Sequence, residues 1–120
     1  MENILKEKSF AFALRVVKLS RYLVRDKKEY VLSKQILRSG TAVGALISEA
    51  EFAQSKPDFI SKLSIGLKEA NETYYWIRLL RSGDYLSESM YKSLQPEINE
   101  LIKLLVVSIK TSKENIKANK

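Results

Sequence analysis

Two chemically versatile residues, cysteine and histidine, are missing from the 120-residue sequence. Without cysteine the chain can form no disulfide and offers no thiol nucleophile. Without histidine it lacks the side chain that ordinarily titrates near neutral pH. Zinc sites built from these two ligands are excluded for the same reason. A chain without cysteine is typical of the reducing cytoplasm, where we expect this protein to act.

Residues that interrupt helices are also scarce, since the sequence has four glycines and two prolines. This scarcity favours long helices over a fold of short strands and turns. No apolar run approaches the roughly 20 residues that a membrane-spanning helix requires. The N-terminal segment lacks the apolar stretch and the small-residue cleavage site of a signal peptide. We therefore expect no membrane partner and no export signal.

The apolar residues, 45% of the chain, recur with the spacing of an α-helix in four segments. We predict one domain, residues 1–120, with helices over residues 4–26, 30–53, 57–81 and 87–116. Because the connections between these segments are short, neighbouring helices should run antiparallel. The sequence therefore predicts an all-α fold, an up-down-up-down four-helix bundle.

Local signals support the later helix boundaries. Ser55, followed three residues later by Asp58, is a helix-capping pattern. Gly83 is a candidate for the end of the third helix, and Ser87 for the cap of the fourth. Pro96 lies early in the fourth segment, where we favour one kinked helix over two shorter ones.

The first helix has more apolar surface than one core requires. Its apolar residues fall into two neighbouring rows, the first of which lines one face of the helix: Phe10, Ala13, Leu14, Val17 and Val24. Gly40 and Gly44 are spaced four apart in the second helix and leave a smooth strip for close approach of another helix. We predict a helix-packing or oligomer contact formed by these glycines and by the second row, which consists of Phe12, Val16, Leu19 and Leu23.

The net charge of +7 is unevenly distributed, because residues 1–40 carry ten basic and four acidic side chains. Within this region one side of the first helix and the loop after it form a basic stripe, which consists of Arg15, Lys18, Arg21, Arg25 and Lys28. Such a stripe can follow a phosphate backbone, and Tyr22 and Tyr30 lie near enough to stack on unpaired bases. A helix face that is merely solvated remains the alternative.

Three glutamates are candidate ligands of a metal site. Glu69 and Glu72 are three apart on the third helix, and Glu49 lies on the second. A carboxylate-bridged iron site would also need histidine, which is absent, so an all-carboxylate Mg²⁺ or Mn²⁺ site is the remaining possibility. We favour ion pairs with nearby basic residues, for which the candidates are Arg38, Lys68 and Arg78. Gly40 and Gly44 lie within a helix and not in a phosphate-binding loop, so we expect no enzyme, metal or cofactor.

A family resemblance runs through residues 35–80, and the opening Ser9–Ser20 segment shares it. The matching elements are Arg38-Ser39, Val43-Gly44-Ala45, Glu49, the Ser55 to Phe59 junction and the segment from Ala70 to Leu79. In these elements the chain resembles the bacterial four-helix-bundle family of the 23S rRNA intervening-sequence protein, which is encoded in insertions within some rRNA genes.

The resemblance implies a bundle that assembles into a closed ring, commonly a homopentamer. It also implies kinship with the basic, pentameric accessory proteins of diversity-generating retroelements, which engage nucleic acid and a reverse transcriptase. We therefore expect a non-enzymatic ring that binds RNA or DNA, with RNA as the first choice. The alternative is a protein-interaction scaffold or accessory subunit that binds an acidic partner or a reverse transcriptase.

Overall fold

The four helices of the computed structural model, which describes residues 3–118, lie side by side in chain order. They are α1 (Asn3–Arg25), α2 (Leu32–Ala50), α3 (Lys56–Ser82) and α4 (Glu88–Ala118). Each helix packs against the next, and α4 returns to contact α1 less extensively than the other neighbours contact each other. No strand occurs within residues 3–118. The predicted antiparallel four-helix bundle is confirmed.

The core is built from residues that recur three or four positions apart on each helix. From α1 it takes the second apolar row, Phe12, Val16, Leu19 and Leu23, whose side chains are at most 5% exposed. These four residues pack between helices of one chain and are not available for a contact between chains. The first row lies outside the core, since Phe10 is 73% exposed and Leu14 is 50% exposed.

The orientation of α1 follows from the small residues of α2. A β-carbon added at Gly40 would lie 2.8 Å from both γ-carbons of Val16. One added at Gly44 would lie 3.3 Å from the carbonyl oxygen of Ser9. The two glycines therefore allow α1 and α2 of the same chain to approach closely. This close approach places the row that contains Val16 in the core.

Helix α2 is shorter at both ends than the predicted 30–53. At its start, the Glu29 carboxylate accepts hydrogen bonds from the backbone N–H groups of Ser33, at 2.8 Å, and Val31, at 3.3 Å. A side chain that precedes the helix thus satisfies donors that have no partner within it. At its end, Phe52 and Ala53 donate to carbonyls three residues earlier, so the chain turns after Ala50.

The boundaries of α3 and α4 follow local rules. The hydroxyl of Ser55 accepts the N–H of Asp58 at 3.2 Å, and the hydroxyl of Ser87 accepts that of Met90 at 3.1 Å. Gly83 caps the end of α3 with an ordinary negative φ, and the left-handed residue there is Asp84, with φ of 66°. Helix α4 continues through Pro96 as a single helix.

Candidate functional site

The exposed side of α1 changes character along its length. Five residues at intervals of three or four lie on one line of the helix: Phe10, Leu14, Lys18, Arg21 and Arg25. We call the first two the apolar half and the last three the basic half. Phe10 and Leu14 are exposed by 73% and 50%, and all three basic residues are exposed too. One helix thus presents two kinds of surface to the solvent.

The cations of the basic half are not neutralised by side chains of the same chain. Among the described residues, Lys18, Arg21 and Arg25 make no ion pair, and neither does Lys28 in the following loop. The nearby Glu29 carboxylate is engaged with backbone N–H groups at the start of α2. The positive charge of this half therefore faces water and is available to an anionic partner.

Arg15 is separated from the rest of the predicted basic stripe by its contacts. Its guanidinium donates to the hydroxyl of Ser93 at 2.9 Å and to the carbonyl of Ser93 at 3.3 Å, and it forms an ion pair with Glu97. These contacts tie α1 to α4. Arg15 is therefore a residue that joins two helices, and its charge is already balanced.

A groove of about 520 Å³ runs between α1 and α4 beside the basic half. It exists because α1 and α4 pack less extensively than the other neighbouring helices. Its walls come from two turns of each helix: Arg15, Lys18, Leu19 and Tyr22 from α1, and Ser89, Met90, Ser93 and Leu94 from α4. The groove thus places an aromatic side chain next to an unpaired cation.

A second groove, of about 640 Å³, lies between α1 and α2 beside the apolar half. Phe10 and Ala13 line it from α1, and Thr41, Gly44 and Ala45 line it from α2. Sequence periodicity predicted excess apolar surface on α1 but did not determine which row lies in the core, so the exposure of Phe10 and Leu14 was not predicted.

The glutamates considered as metal ligands serve in ion pairs. Arg38 binds Glu69 at 2.6 Å and also binds Glu72, whereas Glu49 lies 3.6 Å from the Lys62 ammonium. These contacts join α2 to α3. Nowhere in residues 3–118 do three acidic side chains gather as possible metal ligands.

Glu72 also accepts a hydrogen bond at 3.0 Å from the indole N–H of Trp76. This bond, together with the Arg38 guanidinium, holds the pKa of the Glu72 carboxyl below its usual value, although partial burial acts in the opposite direction. Hydrogen bonds to Glu69 and Glu72 raise the pKa of Arg38. The cluster is thus a charged clasp between two helices.

These features define a class of protein: a four-helix bundle whose distinguishing side chains, exposed apolar residues and unpaired cations, lie on its surface. The chain belongs to the 23S rRNA-intervening sequence protein family, whose model matches residues 1–107. A crystal structure of a protein of unknown function from the S23 ribosomal protein family of Bacteroides thetaiotaomicron VPI-5482 is 54% identical, with a TM-score of 0.89. The match covers 90% of this chain and 96% of that chain.

No protein of curated function matches the chain. The family match confirms the resemblance expected from the sequence, and neither the family description nor the crystal structure's description names an activity. No helix within the described residues has the length and apolarity that crossing a membrane requires.

Proposed function

We propose that the chain is a non-enzymatic subunit of a homo-oligomeric ring that binds RNA through the basic half of α1. The observation that carries this proposal is the division of the exposed line of α1 into two apolar residues followed by three unpaired cations. An apolar surface serves assembly, and unpaired cations serve an anionic ligand. Each half therefore has a role of its own.

The apolar half supports assembly with a second copy of the chain. Covering one large apolar side chain contributes about 1.5–3 kcal/mol, so Phe10 and Leu14 together offer a substantial gain. The groove beside them is concave, and other apolar side chains project elsewhere on the same chain, such as Tyr75, Leu79 and Val107. A contact between two different patches of identical chains closes into a ring when the rotation allows it. We favour a homopentamer, which the family resemblance implies.

The basic half supports binding of a polyanion. Each cation that contacts a phosphate releases a counterion, so affinity that depends on such contacts falls steeply with salt. A ring repeats the three cations in every subunit, and binding at several subunits multiplies a modest affinity. RNA is the first choice because the family is named for insertions in rRNA genes.

The test is a salt series of RNA binding by three forms of the chain. The first is the wild type, and the second is Lys18→Gln/Arg21→Gln/Arg25→Gln. The matched control removes the same charge from exposed positions of α4, as Lys103→Gln/Lys110→Gln/Lys113→Gln. We expect the α1 variant to lose about two units of the slope of log K against log salt for each subunit that binds, at about 0.7 per contact. Equal losses in both variants, or no binding by the wild type at low salt, would contradict the proposal.

A protein-interaction scaffold is the second candidate, and an exposed aromatic side chain on α3, Tyr75, favours it. Tyr75 is 53% exposed and packs edge-on against Trp76, with ring centroids 5.2 Å apart, while Leu79 is 38% exposed. Aromatic residues are enriched in protein interfaces. If this candidate is right, an acidic polypeptide such as polyglutamate competes for the basic half at least as well as RNA does.

A further inference from the structure

We propose that the groove between α1 and α4 receives an unpaired nucleobase, so that the chain selects single-stranded over double-stranded RNA. This inference rests on the proposed function and specifies the ligand of the same site. It is carried by the position of Tyr22 and Lys18, which line the groove together from successive turns of α1. Lys18 would meet the phosphate next to the base that Tyr22 stacks against.

The shape and chemistry of the groove suit a flat, partly polar ring. Leu19 and Leu94 are buried and form an apolar floor, and Tyr22 and Met90 are half-buried at its sides. A volume of about 520 Å³ lies within the usual range of small-molecule sites. Such sites combine apolar walls with a few polar groups, which fits this arrangement.

Polar groups at the rim can meet the edge of a base. Ser89 is exposed there with its hydroxyl free to donate or accept. The hydroxyl of Ser93 accepts a hydrogen bond from Arg15, which leaves its own proton free for a second partner. Because a hydroxyl can both donate and accept hydrogen bonds, these two groups can bind the edges of different bases. We therefore expect weak sequence preference.

The two ends of the groove differ in charge and so orient the ligand. At one end Glu97 and Ser93 hold Arg15, whose charge is balanced by the carboxylate. At the other end Lys18 is unpaired, and Arg21 lies three residues further along the same helix. Phosphates should follow the unpaired cations, while the planar guanidinium of Arg15 borders the base.

Double-stranded RNA has no unpaired base that could enter this groove. In a duplex the bases are stacked and paired, and proteins contact mainly phosphates and 2′-hydroxyls. Unpaired bases can leave the stack and lie against an aromatic ring, which is worth about 1–3 kcal/mol per base. The cations of the basic half bind either form, so the groove supplies the preference.

Two other grooves of the chain lack this combination. The groove between α1 and α2 contains Phe10, but its lysine, Lys6, is paired with Glu51 at 2.7 Å. A groove between α3 and α4 contains Lys110 and Lys113 without an aromatic side chain. A groove between α2 and α3 also places an aromatic ring, Phe59, beside a cation, Lys56, that makes no ion pair among the described residues. Its volume of about 290 Å³ is little more than half that of the groove between α1 and α4, about 520 Å³.

The experiment measures binding of a 20-nucleotide single-stranded RNA and of a duplex of the same length at one salt concentration. The variants are Tyr22→Leu, Tyr22→Phe and, as the matched control, Tyr30→Leu, since Tyr30 is exposed outside the groove. We expect Tyr22→Leu to weaken single-strand binding by about 5- to 100-fold, with the salt slope unchanged. Tyr22→Phe should retain binding because it keeps the ring, and Tyr30→Leu should bind as the wild type does.

Tyr22 also packs against the core, so a second variant leaves it in place. Ser89→Leu adds a bulky side chain at an exposed position on the groove rim and should reduce single-strand binding without changing duplex binding. In the wild type, the fluorescence of 2-aminopurine placed in the single strand should fall further on binding, because the base stacks on a tyrosine.

The outcomes separate this inference from the proposed function. If the wild type binds duplex as tightly as single strand, or if Ser89→Leu and Tyr22→Leu bind single strand normally, the nucleobase site is wrong. In that case the basic half still stands as an RNA surface, provided that its triple variant loses salt-dependent binding. If the wild type binds neither RNA at low salt, both ideas fail.

Discussion

The two halves of α1 share a buried side and differ in their exposed side. Phe12 and Val16 fill the core under the apolar half, as Leu19 and Leu23 do under the basic half. Above them the exposed line changes from apolar side chains to unpaired cations within one turn. Burial on one side thus leaves the other side free to vary, and the two surfaces can serve different partners without altering the bundle.

This division of α1 also separates what stabilises the fold from what the fold displays. Changes on the buried side should affect unfolding, and changes on the exposed side should affect assembly or ligand binding. Matched substitutions on the two sides, and on the two halves, can break this comparison or sharpen it.

The largest effect is expected from two phenylalanines that lie two positions apart. Phe12→Ala removes a ring that is 1% exposed and should lower the free energy of unfolding by about 3–5 kcal/mol. Phe10→Ala removes a ring that is 73% exposed and should change the stability of the single subunit by no more than about 0.5 kcal/mol. Urea denaturation over a concentration series separates folding from assembly. A larger loss for Phe10→Ala would reverse the assignment of the two rows.

The next effect concerns the contact that orients α1. Gly40→Ala places a β-carbon 2.8 Å from both γ-carbons of the buried Val16, and we expect a loss of about 1–3 kcal/mol in the free energy of unfolding. Gly66→Ala is the control, because its nearest neighbour would be the β-carbon of Leu46 at an ordinary 3.7 Å. That change should stabilise the chain by up to about 1 kcal/mol, since alanine favours a helix interior. Thermal melts measure the stability of both variants. If the two were equally stable, close approach at Gly40 would not explain the orientation of α1.

A smaller effect should distinguish Arg15 from Lys18. Arg15→Gln breaks a partly exposed tie to Glu97 and should lower stability by about 0.2–1 kcal/mol, with little change in the salt dependence of RNA binding. Lys18→Gln should leave stability unchanged and reduce that salt dependence. The comparison fails if both variants change the same property.

The smallest effect lies away from α1, in the clasp between α2 and α3. The depressed pKa of Glu72 means that its contribution to stability is full above the pKa in the unfolded chain and is lost as the pH falls through the folded pKa. Trp76→Phe removes the indole donor and should raise the pKa of Glu72 toward its usual value. Carboxyl-carbon NMR titration of both forms measures the shift, and an unchanged pKa would show that the hydrogen bond is not its main cause.

The sequence alone predicted the bundle and the ends of α3, because Ser55 and Asp58 act on their own neighbours. It missed both ends of α2, because Glu29 accepts backbone hydrogen bonds at the start of the helix and the chain turns after Ala50. Local pattern could not choose between two apolar rows of equal period on α1. That choice depends on how closely α2 approaches at Gly40, which is a tertiary property.

The sequence predicted only part of the candidate site, again because local spacing does not show tertiary contacts. Lys18, Arg21 and Arg25 are exposed, as a polar stripe on a helix should be. Arg15 follows the same spacing, yet its partners Ser93 and Glu97 lie about 80 positions away along the chain. Pairing over that distance leaves no local signal, so spacing alone assigned Arg15 to the free cations.

Light scattering after size exclusion tests the division of α1 most directly, applied to three forms of the chain at one micromolar concentration. We predict a ring for the wild type, a monomer for Phe10→Ser/Leu14→Ser, and an unchanged ring for Lys18→Gln/Arg21→Gln/Arg25→Gln. A monomeric wild type, or a charge variant that dissociates while the apolar variant stays assembled, would contradict the division of α1 into an assembly half and a binding half.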